Sequence, residues 1–122
     1  MKMVVTVLSI LFSASAFSFS GDCTTSVKNK ITEIDMISDN IANINTTRTP
    51  EGGAYRKKVM SCKKSICEIK AVNNEINLKY DPSHYDADVN GYVQYPVINL
   101  EDEIQKLITA NREYEEIMSV CK

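Results

Sequence analysis

The sequence LEDEIQKLITANREYEEIMSVC, residues 100–121, decides the fold because it is an uninterrupted helical pattern without glycine or proline. Apolar or semi-apolar side chains recur at alternating spacings of four and three, which is typical of a coiled-coil seam. These positions are Leu100, Ile104, Leu107, Asn111, Tyr114, Met118 and Cys121. Asn99 precedes them as an N-cap, and three acidic residues fill the first turn, where carboxylates offset the helix dipole. The pattern predicts a helix over 99–121.

An amphipathic helix of this length is marginal alone in water and needs an apolar partner. Residues 24–45 provide one, because isoleucine and valine recur there on one helical stripe. The predicted stripe consists of Val27, Ile31, Ile34, Ile37, Ile41 and Ile44. We expect the two helices to pair, and we expect the parts of the stripes that stay open to bind a partner or a second copy. The predicted seam and interface residues are Ile34, Ile41, Ile44, Leu100, Ile104, Leu107, Tyr114 and Met118.

The first 20 residues have the layout of a secretory signal peptide, with Lys2, an apolar run and then clustered small residues. The apolar run is shorter than the roughly 20 residues that span a bilayer. We therefore expect cleavage, after Ala16 or Ser20, with no stable membrane insertion afterwards. An uncleaved anchor is the alternative. A lipid anchor on Cys23 is disfavoured by Asp22 before it. The remaining residues, 21–122, are predicted to form a single domain.

Net charge and cysteine content limit the kinds of function that the chain could have. The chain has a formal net charge of −2, so there is no basic excess to suggest a nucleic-acid partner. Its four cysteines, Cys23, Cys62, Cys67 and Cys121, follow the expected signal peptide. An even number in that context indicates disulfides formed in an oxidising compartment, although four cysteines allow three pairings.

The segment between the helices, 46–97, is predicted to hold short strands and turns. Pro50 and the pair Gly52-Gly53 indicate a loop. Alternating side chains predict a β-hairpin from 55–62 and 66–72, and a further short strand at 76–80. The stretch 81–96 is polar and rich in turn residues. The predicted class is therefore α+β, with two long antiparallel helices and a small β-hairpin and loop region between them.

Two patterns in the polar stretch suggest chemistry, and both are interpreted as structural. Asp86, Asp88, Asn90 and Gly91 match the first half of a calcium-binding EF-hand loop, but its twelfth position is Val97 instead of glutamate. An Asx-turn loop explains them better. His84 has no positioned nucleophile in the pattern, and zinc binding with Cys62 and Cys67 lacks the usual ligand spacing. We expect no catalytic residues, no metal, no cofactor and no small-molecule substrate.

Three stretches in order, 38–58, 80–96 and 99–114, resemble the FlgC-type proximal rod proteins of the bacterial flagellar basal body. The middle stretch, YDPSHYDADVNGYVQYP, is the most specific. The residues that carry the resemblance are Asn40, Asn43, Asn45, Thr46, Thr47, Tyr80, Asp81, Pro82, Asp86, Asp88, Gly91 and Tyr92. The resemblance implies a structural subunit, not an enzyme. It also implies that the terminal helices pair antiparallel and pack against other rod or basal-body subunits in the periplasm.

The expected signal peptide and the cysteines depart from the family pattern. They leave open an alternative, a periplasmic, disulfide-stapled helical adaptor derived from a rod protein and outside the motility rod. If the helices run antiparallel, each about 33 Å long at about 1.5 Å per residue, the start of one lies beside the end of the other. We therefore predict a Cys23–Cys121 disulfide, and a Cys62–Cys67 disulfide across the hairpin.

Overall fold

The computed structural model describes residues 23–72 and 75–121, so the expected signal peptide lies outside the described residues. Along the described chain, one helix precedes four short strands and a second helix follows them. The elements are α1 (Cys23–Ala42), β1 (Lys58–Lys63), β2 (Ile66–Ala71), β3 (Ile76–Tyr80), β4 (Tyr92–Pro96) and α2 (Leu100–Val120). Neither helix has the length and apolarity together that crossing a bilayer requires.

The two helices pack side by side, and the start of α1 lies beside the end of α2. A disulfide joins Cys23 to Cys121 with the Cα atoms 5.6 Å apart, which is the pair expected from the helix lengths. Between the helices, Met36 and Ile37 of α1 meet Ala110 of α2 in a small apolar core. Ile34, Ile41, Met60 and Leu107 pack against its edge.

Local side-chain contacts fix the inner ends of both helices. The Asn99 side chain accepts a hydrogen bond from the Asp102 backbone N–H at 3.2 Å, so it is the N-cap of α2. Helix α1 ends at Ala42, earlier than the expected 45. The Asn43 side-chain amide and backbone N–H both donate to the Asp39 carbonyl, at 2.8 and 3.0 Å. The next backbone N–H, that of Ile44, bonds to the Ile41 carbonyl at 3.4 Å instead of continuing the α-helical pattern. Ile44 therefore lies in the turn beyond α1.

The expectation of a single small β-hairpin between the helices is wrong. The strands form two separate two-stranded antiparallel sheets, β1–β2 and β3–β4. Strand β4 was missed because it is short, follows a run of turn residues and ends in proline. Its pairing partner is β3, with Tyr80 opposite Tyr92 and Ile76 opposite Pro96. In the structure Val93 is buried between exposed Tyr92 and Gln94, which is the alternation of a half-buried strand.

The β1–β2 hairpin lies along α1 and has its own disulfide. Cys62 and Cys67 are directly opposite in the register and are bonded, with the Cα atoms 4.0 Å apart. Met60 of β1 reaches the helix core, and the Asn29 amide of α1 donates to the Ser65 carbonyl at the hairpin turn, at 3.0 Å. The hairpin therefore covers one side of α1.

The buried Asn40 side chain joins α1 to the chain before and within β1. Its amide group donates to the Lys58 carbonyl and accepts from the Lys58 N–H, both at 2.9 Å. Its oxygen also accepts from the Tyr55 hydroxyl at 2.8 Å, and its nitrogen lies 3.4 Å from the Glu103 carboxylate. A primary amide has two donor hydrogens and two acceptor positions, so every hydrogen-bonding position of Asn40 has a partner.

Glu103 brings α2 into the same junction. Its side chain is 1% exposed, and its carboxylate lies 3.4 Å from the amines of both Lys57 and Lys106. Burial, and then the negative charges of Asp39 and Glu103, raises the pKa of Tyr55 to about 12. Tyr55 therefore stays protonated at neutral pH and remains a hydrogen-bond donor to Asn40.

Replacing Asn40 by alanine is expected to destabilise the protein by at least about 2 kcal/mol. The substitution leaves the Tyr55 hydroxyl and both backbone groups of Lys58 without their hydrogen-bond partner. Urea unfolding with the disulfides intact measures the change. Asn45→Ala, at an exposed position just beyond α1, is the control and should lie within about 0.5 kcal/mol of wild type. Equal effects of the two substitutions would contradict the role assigned to Asn40.

The two disulfides should contribute unequally because they close loops of different length. The sequence separation is 98 residues for Cys23–Cys121 and 5 for Cys62–Cys67. The chain-entropy relation gives about 4.7 kcal/mol for a loop near 100 residues and about 2 kcal/mol for the short loop. We expect the double substitution Cys23→Ser/Cys121→Ser to lower the free energy of unfolding by more than Cys62→Ser/Cys67→Ser. Equilibrium unfolding that ranks the two pairs the other way would refute this.

Candidate functional site

The helix pair has a covered side and an open side. The β1–β2 hairpin covers one side of α1, through Met60 and Ser65. On the open side, Val27, Ile31 and Met118 line an apolar groove of about 490 Å³ next to the Cys23–Cys121 disulfide. The groove contains residues of both helices, so the open side is a shared surface.

The structure divides the predicted seam residues between the interior and this open side. Ile34, Ile41 and Leu107 pack against the core inside the chain. Ile44 and Tyr114 are half-buried. Leu100, Ile104 and Met118 keep between 41% and 43% of their surface exposed. Only part of the predicted seam is therefore available to a partner.

Helix α2 packs through a face rotated away from the predicted seam. Its buried residues are Glu103 and Ala110, neither of which fits an apolar template of large side chains. Alanine allows the helices to approach closely, and Glu103 has cationic partners, so both can be buried. Leu100 and Met118 are about five whole helical turns apart, so their side chains point in the same direction. Because the packing face of α2 is rotated, this direction is toward the open side.

We call the exposed and half-buried apolar residues on this side the open apolar face. Its members on α1 are Val27 and Ile31, and α2 adds an exposed stripe. The stripe consists of Leu100, Ile104, Ile108 and Met118. Exposed large apolar side chains that recur along one side of a helix mark a candidate interaction site. The face is the candidate assembly surface.

Residues that carry the family resemblance meet away from the open apolar face, where the loop after α1 contacts the loop joining β3 to β4. Thr47 donates a hydrogen bond to one Asp86 carboxylate oxygen at 2.7 Å, and Arg48 pairs with the other oxygen at 2.5 Å. The Arg48 guanidinium also lies over the Tyr85 ring, 4.5 Å from its centre. The hydrogen bond from Thr47, and then that from Arg48, lowers the pKa of the Asp86 carboxyl below its usual value. The contact fastens the two loops.

The other residues of the β3–β4 loop that carry the family resemblance form its turns. Asp88 accepts from the backbone N–H groups of Asn90 and Tyr92 at 2.9 and 3.0 Å, which is an Asx-type arrangement. Gly91 has a φ of +85°, and a Cβ there would lie 2.8 Å from the Tyr80 ring. The Tyr80 and Tyr92 rings meet edge to face, 5.4 Å apart.

The remaining residues of the two stretches make local contacts. Asp81 accepts from the Ser83 hydroxyl at 2.9 Å, and Pro82 lies close to Gly91. Thr46 donates to the Asn43 side chain at 3.0 Å. Asn45 is exposed. These residues shape the loops, and none of them extends the open apolar face.

The residues that were considered for catalysis or metal binding also make structural contacts. The His84 Nδ1 atom accepts from the Asp86 N–H at 2.9 Å, and the His84 ring packs on Tyr95. Cys62 and Cys67 are bonded to each other, so neither presents a free thiolate. Across residues 23–72 and 75–121, no group of three or more histidine, cysteine or acidic side chains is arranged to hold a metal ion.

Comparison with proteins of known identity finds relatives that share one name. Flagellar basal-body rod protein FlgC of Borreliella burgdorferi is 34% identical over 110 residues, covering 67% of this chain and 72% of the relative. Proteins of that name from Bacillus subtilis and Agrobacterium fabrum are each 28% identical, over 109 and 103 residues. They cover 67% and 75% of this chain, and 73% and 74% of their own lengths. No family model matches the chain.

The lowered pKa of Asp86 gives the loop contact a testable pH dependence. A carboxyl with a lowered pKa in the folded state stabilises the fold fully above its ordinary pKa of about 3.9. That contribution is lost as the pH falls through the lower pKa of the folded protein. We expect wild type to melt above Asp86→Asn at pH 7, and the two melting temperatures to converge as the pH falls below about 3.9.

Thermal unfolding between pH 7 and pH 2 tests this behaviour. Asp35→Asn, at an exposed position on α1, is the control and should show no such convergence. A constant difference between wild type and Asp86→Asn across the whole range would show that the charge of Asp86 does not stabilise the loops.

Proposed function

The chain belongs to the FlgC family of flagellar basal-body rod proteins, and on that premise we propose that it is a structural subunit of the flagellar rod that assembles through its open apolar face. The observation that carries the proposal is the exposure of Leu100, Ile104 and Met118 on α2, of which Met118 lines an apolar groove shared with α1. Packing this face against a neighbouring subunit would remove the apolar surface from water, at roughly 25 cal/mol per Å² buried.

The Cys23–Cys121 disulfide supports assembly of a subunit whose helices are already paired. The bond closes a loop with a sequence separation of 98 residues and holds the outer ends of α1 and α2 together. Ordering two free termini on binding would subtract from the affinity, whereas a preorganised surface avoids that cost. The protein then binds its neighbours as a finished helix pair.

The expected export route agrees with this order of events. A cleavable signal peptide over residues 1–20 would deliver the chain unfolded to an oxidising compartment, where its disulfides can form. The single domain 21–122 would fold in the periplasm and join the basal body there.

A second candidate function is the periplasmic adaptor outside the motility rod. The observation that favours it is the pair of disulfides in a short chain, which stabilises the domain without neighbours. Cell fractionation separates the two functions. A rod subunit should sediment with detergent-extracted basal bodies, whereas an adaptor should stay in the soluble periplasmic fraction.

Ile104→Asp/Met118→Asp is expected to lower co-purification with basal bodies at least tenfold, because it places two charges on the open apolar face. Both side chains are exposed, so the variant should keep its helical circular dichroism and its disulfides. Val89→Asp changes a fully exposed apolar residue in the β3–β4 loop and is the matched control. A folded double variant that sediments with basal bodies as wild type does would exclude this face as the assembly surface.

A further inference from the structure

We propose that adjacent copies of this chain contact each other side by side, with the β1–β2 hairpin of one copy on the outer flank of α2 in the next. The proposal rests on the proposed function in one respect, namely that copies of a rod subunit are neighbours. It adds a partner, a second copy, and a contact surface that includes the hairpin and adjoins the open apolar face at Ile108.

The hairpin segment is strongly basic in an acidic chain. Residues 56–71 contain six basic residues and one acidic residue, Glu68, whereas the whole chain has a net charge of −2. The basic residues are Arg56, Lys57, Lys58, Lys63, Lys64 and Lys70. Lys63 and Lys64 at the turn are exposed, and neither forms an ion pair within the described residues. The turn therefore presents uncompensated positive charge.

The strand register places apolar and basic side chains together on the outer hairpin face. Residues opposite each other in an antiparallel pair share a face, and faces alternate along a strand. Met60 and Cys62 point toward α1, so the neighbouring pair Lys63–Ile66 points outward. Ile66 is 72% exposed. The turn end of the outer face thus combines Lys63 with an exposed isoleucine, while Glu68 on the same face pairs with Lys70 at 3.6 Å. Lys64 borders the groove between the hairpin and α1.

The outer flank of α2 has the complementary composition. Residues 100–120 contain six acidic residues and two basic ones. At about 100° per residue, Glu115 and Glu116 point roughly 140° and 120° away from buried Ala110, on opposite sides. They are therefore directed away from α1, and both are exposed without a described ion pair. Ile108, one heptad before Glu115, is an exposed apolar neighbour.

The order of the layers puts these two surfaces on different flanks at the same level. The hairpin lies against α1, and α2 lies against another side of α1. The hairpin turn contacts Asn29 through Ser65, while the next residue, Lys30, pairs with Glu113 of α2 at 2.5 Å. Lys63 and Lys64 are therefore level with the part of α2 that carries Glu115 and Glu116. A heterologous contact between neighbouring copies would therefore bring the lysines of one beside the glutamates of the next.

Such a contact joins two different surfaces, so it is heterologous and repeats from copy to copy. A repeated heterologous contact gives a closed ring or an open helical array. Its electrostatic part should weaken with salt, because exposed charges are screened over about 8 Å at physiological ionic strength.

Charge reversal in the full mature chain tests the contact. One variant, Lys63→Glu/Lys64→Glu, makes the hairpin acidic, and another, Glu115→Lys/Glu116→Lys, makes the α2 flank basic. We expect sedimentation velocity at low salt to show reversible association of wild type, and association weakened on the order of tenfold for each variant alone. An equimolar mixture of the two variants should associate again, and so should a chain carrying all four substitutions. Glu51→Lys/Glu75→Lys reverses two exposed acidic residues outside α2 and should associate as wild type does.

The proposal is wrong if wild type stays monomeric at millimolar concentration. It is also wrong if either charge-reversal variant alone associates as wild type does, or if the equimolar mixture of the two folded variants fails to associate. Lysine-dependent binding to phosphatidylglycerol vesicles without self-association would assign the hairpin to a lipid surface instead. These measurements use purified protein, so their failure leaves the basal-body assignment standing, and fractionation of cells tests that assignment separately.

Discussion

The structure depends on the buried amide of Asn40. This side chain pairs with Lys58 through both backbone groups, much as a neighbouring strand would, and so attaches the first strand to the first helix. Its contacts to Tyr55 and Glu103 extend the attachment to the preceding loop and to α2. Only a residue with two donors and two acceptors can satisfy this arrangement, so leucine or aspartate at position 40 would leave buried polar groups without partners.

The reliance on polar contacts follows from the small size of the apolar core. The core cluster of the described residues contains Met36, Ile37 and Ala110, and its other members are only partly buried. A core of this size contributes little stability for a domain of about 100 residues. Two disulfides and a fully paired polar junction supply the remaining constraints. The junction adds specificity as well, because its hydrogen bonds are satisfied in one arrangement of helix, strand and loop.

Much of this arrangement could be predicted from sequence where the signal is local. Helical periodicity located both helices, and Asn99 marked the start of α2. The matched helix lengths predicted the Cys23–Cys121 bond, and the predicted hairpin the Cys62–Cys67 bond. The missed features depend on tertiary contacts. Strand β4 exists because β3 pairs with it, and Glu103 is buried because Lys57 and Lys106 compensate its charge. The rotation of α2 followed from Ala110, whose small side chain carries little weight in an apolar pattern. Of the predicted interface residues, Leu100, Ile104 and Met118 are exposed, whereas Ile34, Ile41 and Leu107 pack against the core. The interface itself stays a prediction.

The disulfide between the helix ends and the open apolar face are physically connected. Apolar side chains that stabilise the inside of a subunit are not available to bind its neighbours. In this chain the groove lined by Val27, Ile31 and Met118 also contains Cys23 and Cys121. The covalent bond therefore fixes the distance between the helices at the place where apolar burial between them is incomplete. A covalent link within the chain thus holds the helix ends together while Ile31 and Met118 stay exposed.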